Sequence, residues 1–144
     1  MSPLVEKRAL QVAVALVLLL PFTAAIAGVV GGPKFLGKPP VIPTDLDSHF
    51  RYVSGLFLAM LLAYVSCIPR IERKTERLRL LGFLTVVGGL ARLWSLVKVG
   101  VPSTGHQVGL VIELGIAPAI LLWQTRVAHR FEGKAREAAA GARR

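Results

Sequence analysis

Four long apolar stretches organise this chain, at about Ala9–Gly31, Phe50–Ile68, Leu78–Val99 and His106–Trp123. Each is 18 to 23 residues long, and about 20 helical residues cross the hydrocarbon core of a bilayer. Backbone N–H and C=O groups in lipid must be satisfied inside their own segment, so each stretch is predicted to be helical. The pattern predicts an all-α membrane protein, a bundle of four transmembrane helices. Its links are short enough to pack sequence neighbours antiparallel.

The segments between these stretches differ in character. The first link, residues 32–49, contains "GPKFLGKPPVIPTDLD"; Pro33, Pro39, Pro40 and Pro43 favour extended backbone. It is long enough to lie over one mouth of the bundle. The second, "PRIERKTERLR", has the composition of a solvated turn, and the third, "GVPST", is tight. Residues 1–127 make up the transmembrane domain, followed by a basic tail, 128–144. The tail sequence "FEGKAREAAAGARR" holds helix formers without an apolar face, which predicts a frayed or surface helix. Pro21 and Pro118 fall inside the first and fourth spans and deprive the carbonyls of Val17 and Leu114 of their usual partners, which predicts kinks.

Charge changes the picture by its position. A net charge of +10 and a pI near 10.9 would point a soluble protein toward nucleic acid. Here 53% of residues are hydrophobic, and the basic residues sort by link. Thirteen lie on one side: Lys7, Arg8, Arg70, Arg73, Lys74, Arg77, Arg79, Arg126, Arg130, Lys134, Arg136, Arg143 and Arg144. The other side has Lys34, Lys38 and Lys98, with Arg51 as a fourth. Positive charge stays in the cytoplasm, so both termini are expected there, and nucleic acid is not an expected partner. The same residues would attract anionic lipid head groups. The start "EKRALQVAVALVLLLPFTAAIAG" also resembles a cleavable signal. Its apolar run continues through Val29 and Val30, which favours a retained helix. The single cysteine, Cys67, excludes an internal disulfide and reads as a small hydrophobe near a helix end.

Charges inside the spans are the sharpest signal. In the third stretch Thr85, Gly88, Arg92 and Ser95 recur at spacings of three and four and share a face, with Gly89 beside it. In the fourth, His106, Gly109, Glu113, Ala117 and Ile120 do the same. Arg92 lies eight residues before Gly100, about 12 Å from that end of the span, and Glu113 lies about 10 Å beyond His106. In an antiparallel hairpin the two meet at one level. A lone charge at such depth costs at least about 2.5–3.5 kcal/mol, and a facing partner removes much of that. At the start of the second span, Thr44 and Asp47 have capping-box spacing. Asp47 and Arg51, four apart, can pair along the helix, with Ser54 and Gly55 on the same face; alternatively Arg51 can snorkel to the head groups. Asp47, Arg51, Arg92 and Glu113 would then form a polar layer in the outer half.

Other chemistry is sparse. Asp45, Asp47 and His49, with His106, are weak metal candidates, set against helix capping and a solvated histidine. Ser48, Ser54, His49 and Asp47 could be drawn as a hydrolase triad, but no nucleophile elbow frames them. No phosphate loop, dinucleotide fingerprint or haem motif is present, so no cofactor and no catalysis are expected. Trp94 and Trp123 suit the aromatic belts of a membrane.

The segments "LDSHFRYVSGLFLAM", "GGLARLWSLVKVGVPS" and "IELGIAPAILLW" resemble an uncharacterised family of small bacterial four-helix inner-membrane proteins. The resemblance runs from about Ala9 to Thr125 and rests on Arg51, Ser54, Gly55, Arg92, Gly100, Pro102 and Glu113. It implies a multi-pass inner-membrane protein and no particular activity. Three functions stay open. The first is a binder or carrier of an amphipathic or lipid-like molecule, with Arg51, Arg92, Glu113, Asp47, Ser54 and Ser95 as its polar site. There, two arginines against one buried acid would leave positive charge for the ligand. The second is an accessory or assembly subunit of a larger membrane complex or a homo-oligomer, with Arg92–Glu113 as a clamp. The third is a small proton-coupled exporter using Glu113, which pairing with an arginine disfavours.

Overall fold

The computed structural model describes residues 2–37 and 41–142. Lys38, Pro39, Pro40, Arg143 and Arg144, named above for loop and charge, lie outside the described residues. The described chain is helical, without strands. Helix α1 is Pro3–Gly31 and runs into a 3₁₀ segment, Gly32–Leu36. Helix α2 is Thr44–Val65 and α3 is Thr75–Val99, with a second 3₁₀ segment, Ile68–Arg73, between them. Helix α4, Thr104–Val111, passes through a π turn, Ile112–Ile116, into α5, Ala117–Gly141.

Four segments, Pro3–Leu36, Thr44–Val65, Thr75–Val99 and Thr104–Gly141, are long and apolar enough to cross a membrane. Composition and length mark a multi-pass membrane protein. Burial agrees: Leu19, Val30, Leu56, Phe83, Trp94, Val97 and Leu122 lie on helix exteriors, and Leu122 is 75% exposed. A soluble monomer rarely tolerates so much contiguous apolar surface.

By internal contacts the chain divides into two compact units, Ala15–Ser66 and Met1–Val14 with Cys67–Arg144, so α1 contributes to both. Along α1 the buried positions Glu6, Leu10, Val14, Leu18, Ala25 and Gly28 trace one helical stripe, and the buried Gly32 follows just past the helix end. In the first unit, α1 and α2 approach through glycine. A Cβ at Gly28 would meet the Ser54 hydroxymethyl, and one at Gly32, where φ is +59°, would run into the Asp47 carboxylate. Small residues four apart let backbones come close. The start of the link after α1 is a 3₁₀ segment with Pro33 buried, not extended backbone; Pro43, with φ −58° and ψ 140°, is extended as expected. The expected capping box does not form, because Pro43 takes the cap position and Asp47 turns to Arg51.

In the second unit α3 packs antiparallel on the Thr104–Gly141 segment. Leu114 and Leu121, seven apart, sit over Gly89 and Gly82, also seven apart. Gly89 therefore faces the partner helix and Gly88 open space, one position away from the face expected from spacing alone. The link between α2 and α3 is not a merely solvated turn. Ile71 is wholly buried, and Leu10, Leu78, Val127 and Cys67 are buried in the same unit. Gln124, 1% exposed, donates through Nε2 to the Ile71 carbonyl at 2.9 Å and the Thr75 hydroxyl at 3.0 Å. Gln11 donates to the Ile68 carbonyl at 2.7 Å. The Ile71 carbonyl also accepts the Lys74 N–H at 3.4 Å, so the two glutamines add side-chain donors to the carbonyls of the link. Helix α5 continues to Gly141 into the basic tail, whose side chains from Glu132 to Ala142 are exposed.

The contrast between neighbouring glycines is testable. Gly89→Ala is expected to lower unfolding stability in detergent by about 1–3 kcal/mol, because the Glu113 Cβ stands in its way. Gly88→Ala is expected to be neutral or to stabilise by up to about 1 kcal/mol through helix propensity. Thermal melts of both variants decide it.

Candidate functional site

An arginine in an apolar helix must meet an acceptor in protein. Arg92 of α3 donates through Nε to Glu113 Oε2 at 2.9 Å and through Nη2 to Glu113 Oε1 at 3.0 Å. Two parallel N–H···O bonds lock a planar guanidinium on a planar carboxylate, the strongest form of such a pair. The carboxylate is the more enclosed partner, with 13% of its side chain exposed against 31% for Arg92. Gly89 makes room for the Glu113 stem, and Gly109 lies alongside the guanidinium. The hairpin thus brings these two charges to one level, as their distances from the turn require.

Glu113 sits in the π turn. Pro118 has no N–H for the Leu114 carbonyl, and its ring crowds that carbonyl. The chain widens the preceding turn: the Ala117 N–H reaches back five residues to Ile112, and Pro118 falls into the first turn of α5, where proline is tolerated. At the expected kink the helix passes through one wider turn. Such turns occur often at functional positions. In α1, Pro21 lies inside one continuous helix.

The second ion pair belongs to the other unit. Arg51 donates through Nε to Asp47 Oδ2 at 2.8 Å and through Nη2 to Oδ1 at 3.2 Å. Its Nη1 donates to the carbonyls of Val29 and Val30, at 2.6 and 2.8 Å. These are among the last carbonyls of α1, which lack helical partners and carry the negative end of the helix dipole. Arg51 therefore caps one helix while bonded along another, in place of the snorkelling alternative. The two pairs together correct the charge count. Each arginine has its own acid, Glu113 for Arg92 and Asp47 for Arg51, so the surplus positive charge expected of the site is absent.

The remaining expected residues are placed less tightly. Ser54 packs against Gly28, and Ser95 is exposed. Asp45, Ser48 and His49 are exposed on α2, and no triad forms with Asp47 held by Arg51. His106 Nδ1 lies 2.9 Å from the Ser103 hydroxyl, a contact local to the turn. Among the described residues no three His, Cys, Asp or Glu side chains converge as a metal site.

Several structural residues escaped the reading of the sequence. Gly28 and Gly32 carry a Gly-x-x-x-Gly spacing that was there to be noticed. Glu6, 4% exposed, takes Arg126 at 3.3 Å and also Arg130; Lys7 bridges Glu72 at 2.9 Å. Lys7, Arg126 and Arg130 had counted only toward topology.

Residues 9–124 match the family described as a domain of unknown function, DUF4345. The chain belongs to that family, in agreement with the resemblance drawn from its three motifs. No curated protein and no solved structure matches it.

A double-mutant cycle tests the central pair. Arg92→Leu and Glu113→Leu are each expected to lose about 3 kcal/mol, because each strands a half-buried charge. The double variant is expected to lose less than either. Free energies from denaturant titration in mixed micelles give the coupling.

Proposed function

We propose that this chain is a non-catalytic, multi-pass protein of the bacterial inner membrane, with both termini cytoplasmic, that holds the polar head of a small amphipathic or lipid-like molecule against Arg92. One observation carries the reading. Arg92 is bonded to Glu113 through Nε and Nη2, while Nη1 has no acceptor among the described residues. A guanidinium 31% exposed in an apolar helix, with unused donors, favours an incoming oxygen. Because the pair is neutral, that oxygen belongs to a carbonyl, ester or hydroxyl more readily than to a strong anion. Arg51 has no comparable freedom, its donors being bonded to Asp47, Val29 and Val30. The orientation rests on the excess of Lys and Arg in one set of links.

A specific feature favours the second reading, an accessory or assembly subunit. Gly55 and Gly88 lie in apolar helices with open space where a side chain would project. Small residues on an open helix face suit close approach by another helix.

Native mass spectrometry of protein extracted from its source membrane in mild detergent separates the two. The binding reading expects a retained small molecule that the Arg92→Leu/Glu113→Leu variant loses at unchanged helix content. Stoichiometric recovery with a larger complex, unaltered by that variant and without a small molecule, would overturn it for the accessory role.

A further inference from the structure

The second unit ends in a cluster of charges that the proposed site does not use. Glu6 and Glu72 are the least exposed acids there, with 6% and 9% of their side chains accessible. Arg126 approaches Glu6 Oε1 through its Nε at 3.3 Å, and Arg73 approaches Glu72 Oε1 through its Nε at 3.9 Å. In both cases the inner edge of the guanidinium faces a buried acid. Both arginine side chains remain largely exposed, at 72% and 78%. Arg130 and Lys7 complete the neutralisation of the same two acids. Two acids meet four cations, so the cluster retains positive charge. Arg73, Lys74 and Arg77 also line an open groove with Thr75 and the acids Glu72, Glu76 and Glu132.

We propose that Arg73 and Arg126 form a recognition surface for the phosphate of an anionic phospholipid head group. An exposed guanidinium presents parallel N–H groups at the spacing of phosphate oxygens. A head group is favoured over a soluble anion by what adjoins the cluster. Leu80 and Phe83, exposed and apolar, follow Arg73 into α3, where acyl chains would pack beneath a bound phosphate. The inference rests on the membrane reading of the chain and is independent of the Arg92 site.

The test uses the full chain in neutral detergent, titrated with short-chain phosphatidylglycerol, short-chain phosphatidylcholine and inorganic phosphate, with adducts counted by native mass spectrometry. Phosphatidylglycerol is expected to bind roughly tenfold better than phosphatidylcholine. Arg73→Gln/Arg126→Gln is expected to remove that preference, while Lys98→Gln, in the last turn of α3, retains it. Arg126→Lys keeps the charge without the fork and is expected to weaken phosphatidylglycerol severalfold, which preserves the test should the glutamine variant fail to fold. Equal binding of the two lipids, or a preference untouched by these variants, would overturn the proposal. Inorganic phosphate competing as well as the lipid would overturn the head-group assignment.

Discussion

A charge placed among apolar side chains is tolerated only where another group neutralises it, and the Arg92–Glu113 pair meets that constraint here. Its bidentate geometry requires α3 to lie close against the α4–α5 segment. Close approach in turn requires a residue without a side chain at Gly89, and Gly82 extends the contact in the same register. The π turn completes the arrangement by absorbing Pro118 next to the residue that must face the arginine. Ion pair, glycine contacts and widened turn therefore depend on one another.

The first unit answers the same constraint differently. Arg51 is balanced along its own helix by Asp47, and its remaining donors hold the final carbonyls of α1. Gly28 and Gly32 supply the proximity that this capping needs. One arginine thus fixes a helix end, whereas the other fixes a helix pair and keeps a donor unused. That difference is why Arg92, and not Arg51, is the centre of the proposed binding site.

Much of this was legible from residue order. Four apolar stretches give four helices, because helix formation in apolar surroundings depends on length and composition. The meeting of Arg92 and Glu113 follows from equal distances to a tight turn. Side-chain detail was harder to read. Thr44 and Asp47 have capping spacing, but Asp47 gains more from the arginine one turn along than from a backbone N–H. The stripe of Thr85, Gly88 and Arg92 suggested the wrong glycine, since neighbouring positions differ by 100° and spacing alone does not fix which of two faces the partner. Glu6, Gln11 and Gln124 find their partners across long sequence separations, where no local pattern announces them.

The most direct measurement is solid-state NMR of the protein in lipid bilayers, with labelled guanidinium nitrogens at Arg92 and a labelled carboxyl carbon at Glu113. Strong dipolar coupling between the two labels, retained in bilayers of different head-group charge, is the result expected of a fixed, hydrogen-bonded pair. Coupling too weak to detect while the helices remain folded would contradict the account at its base.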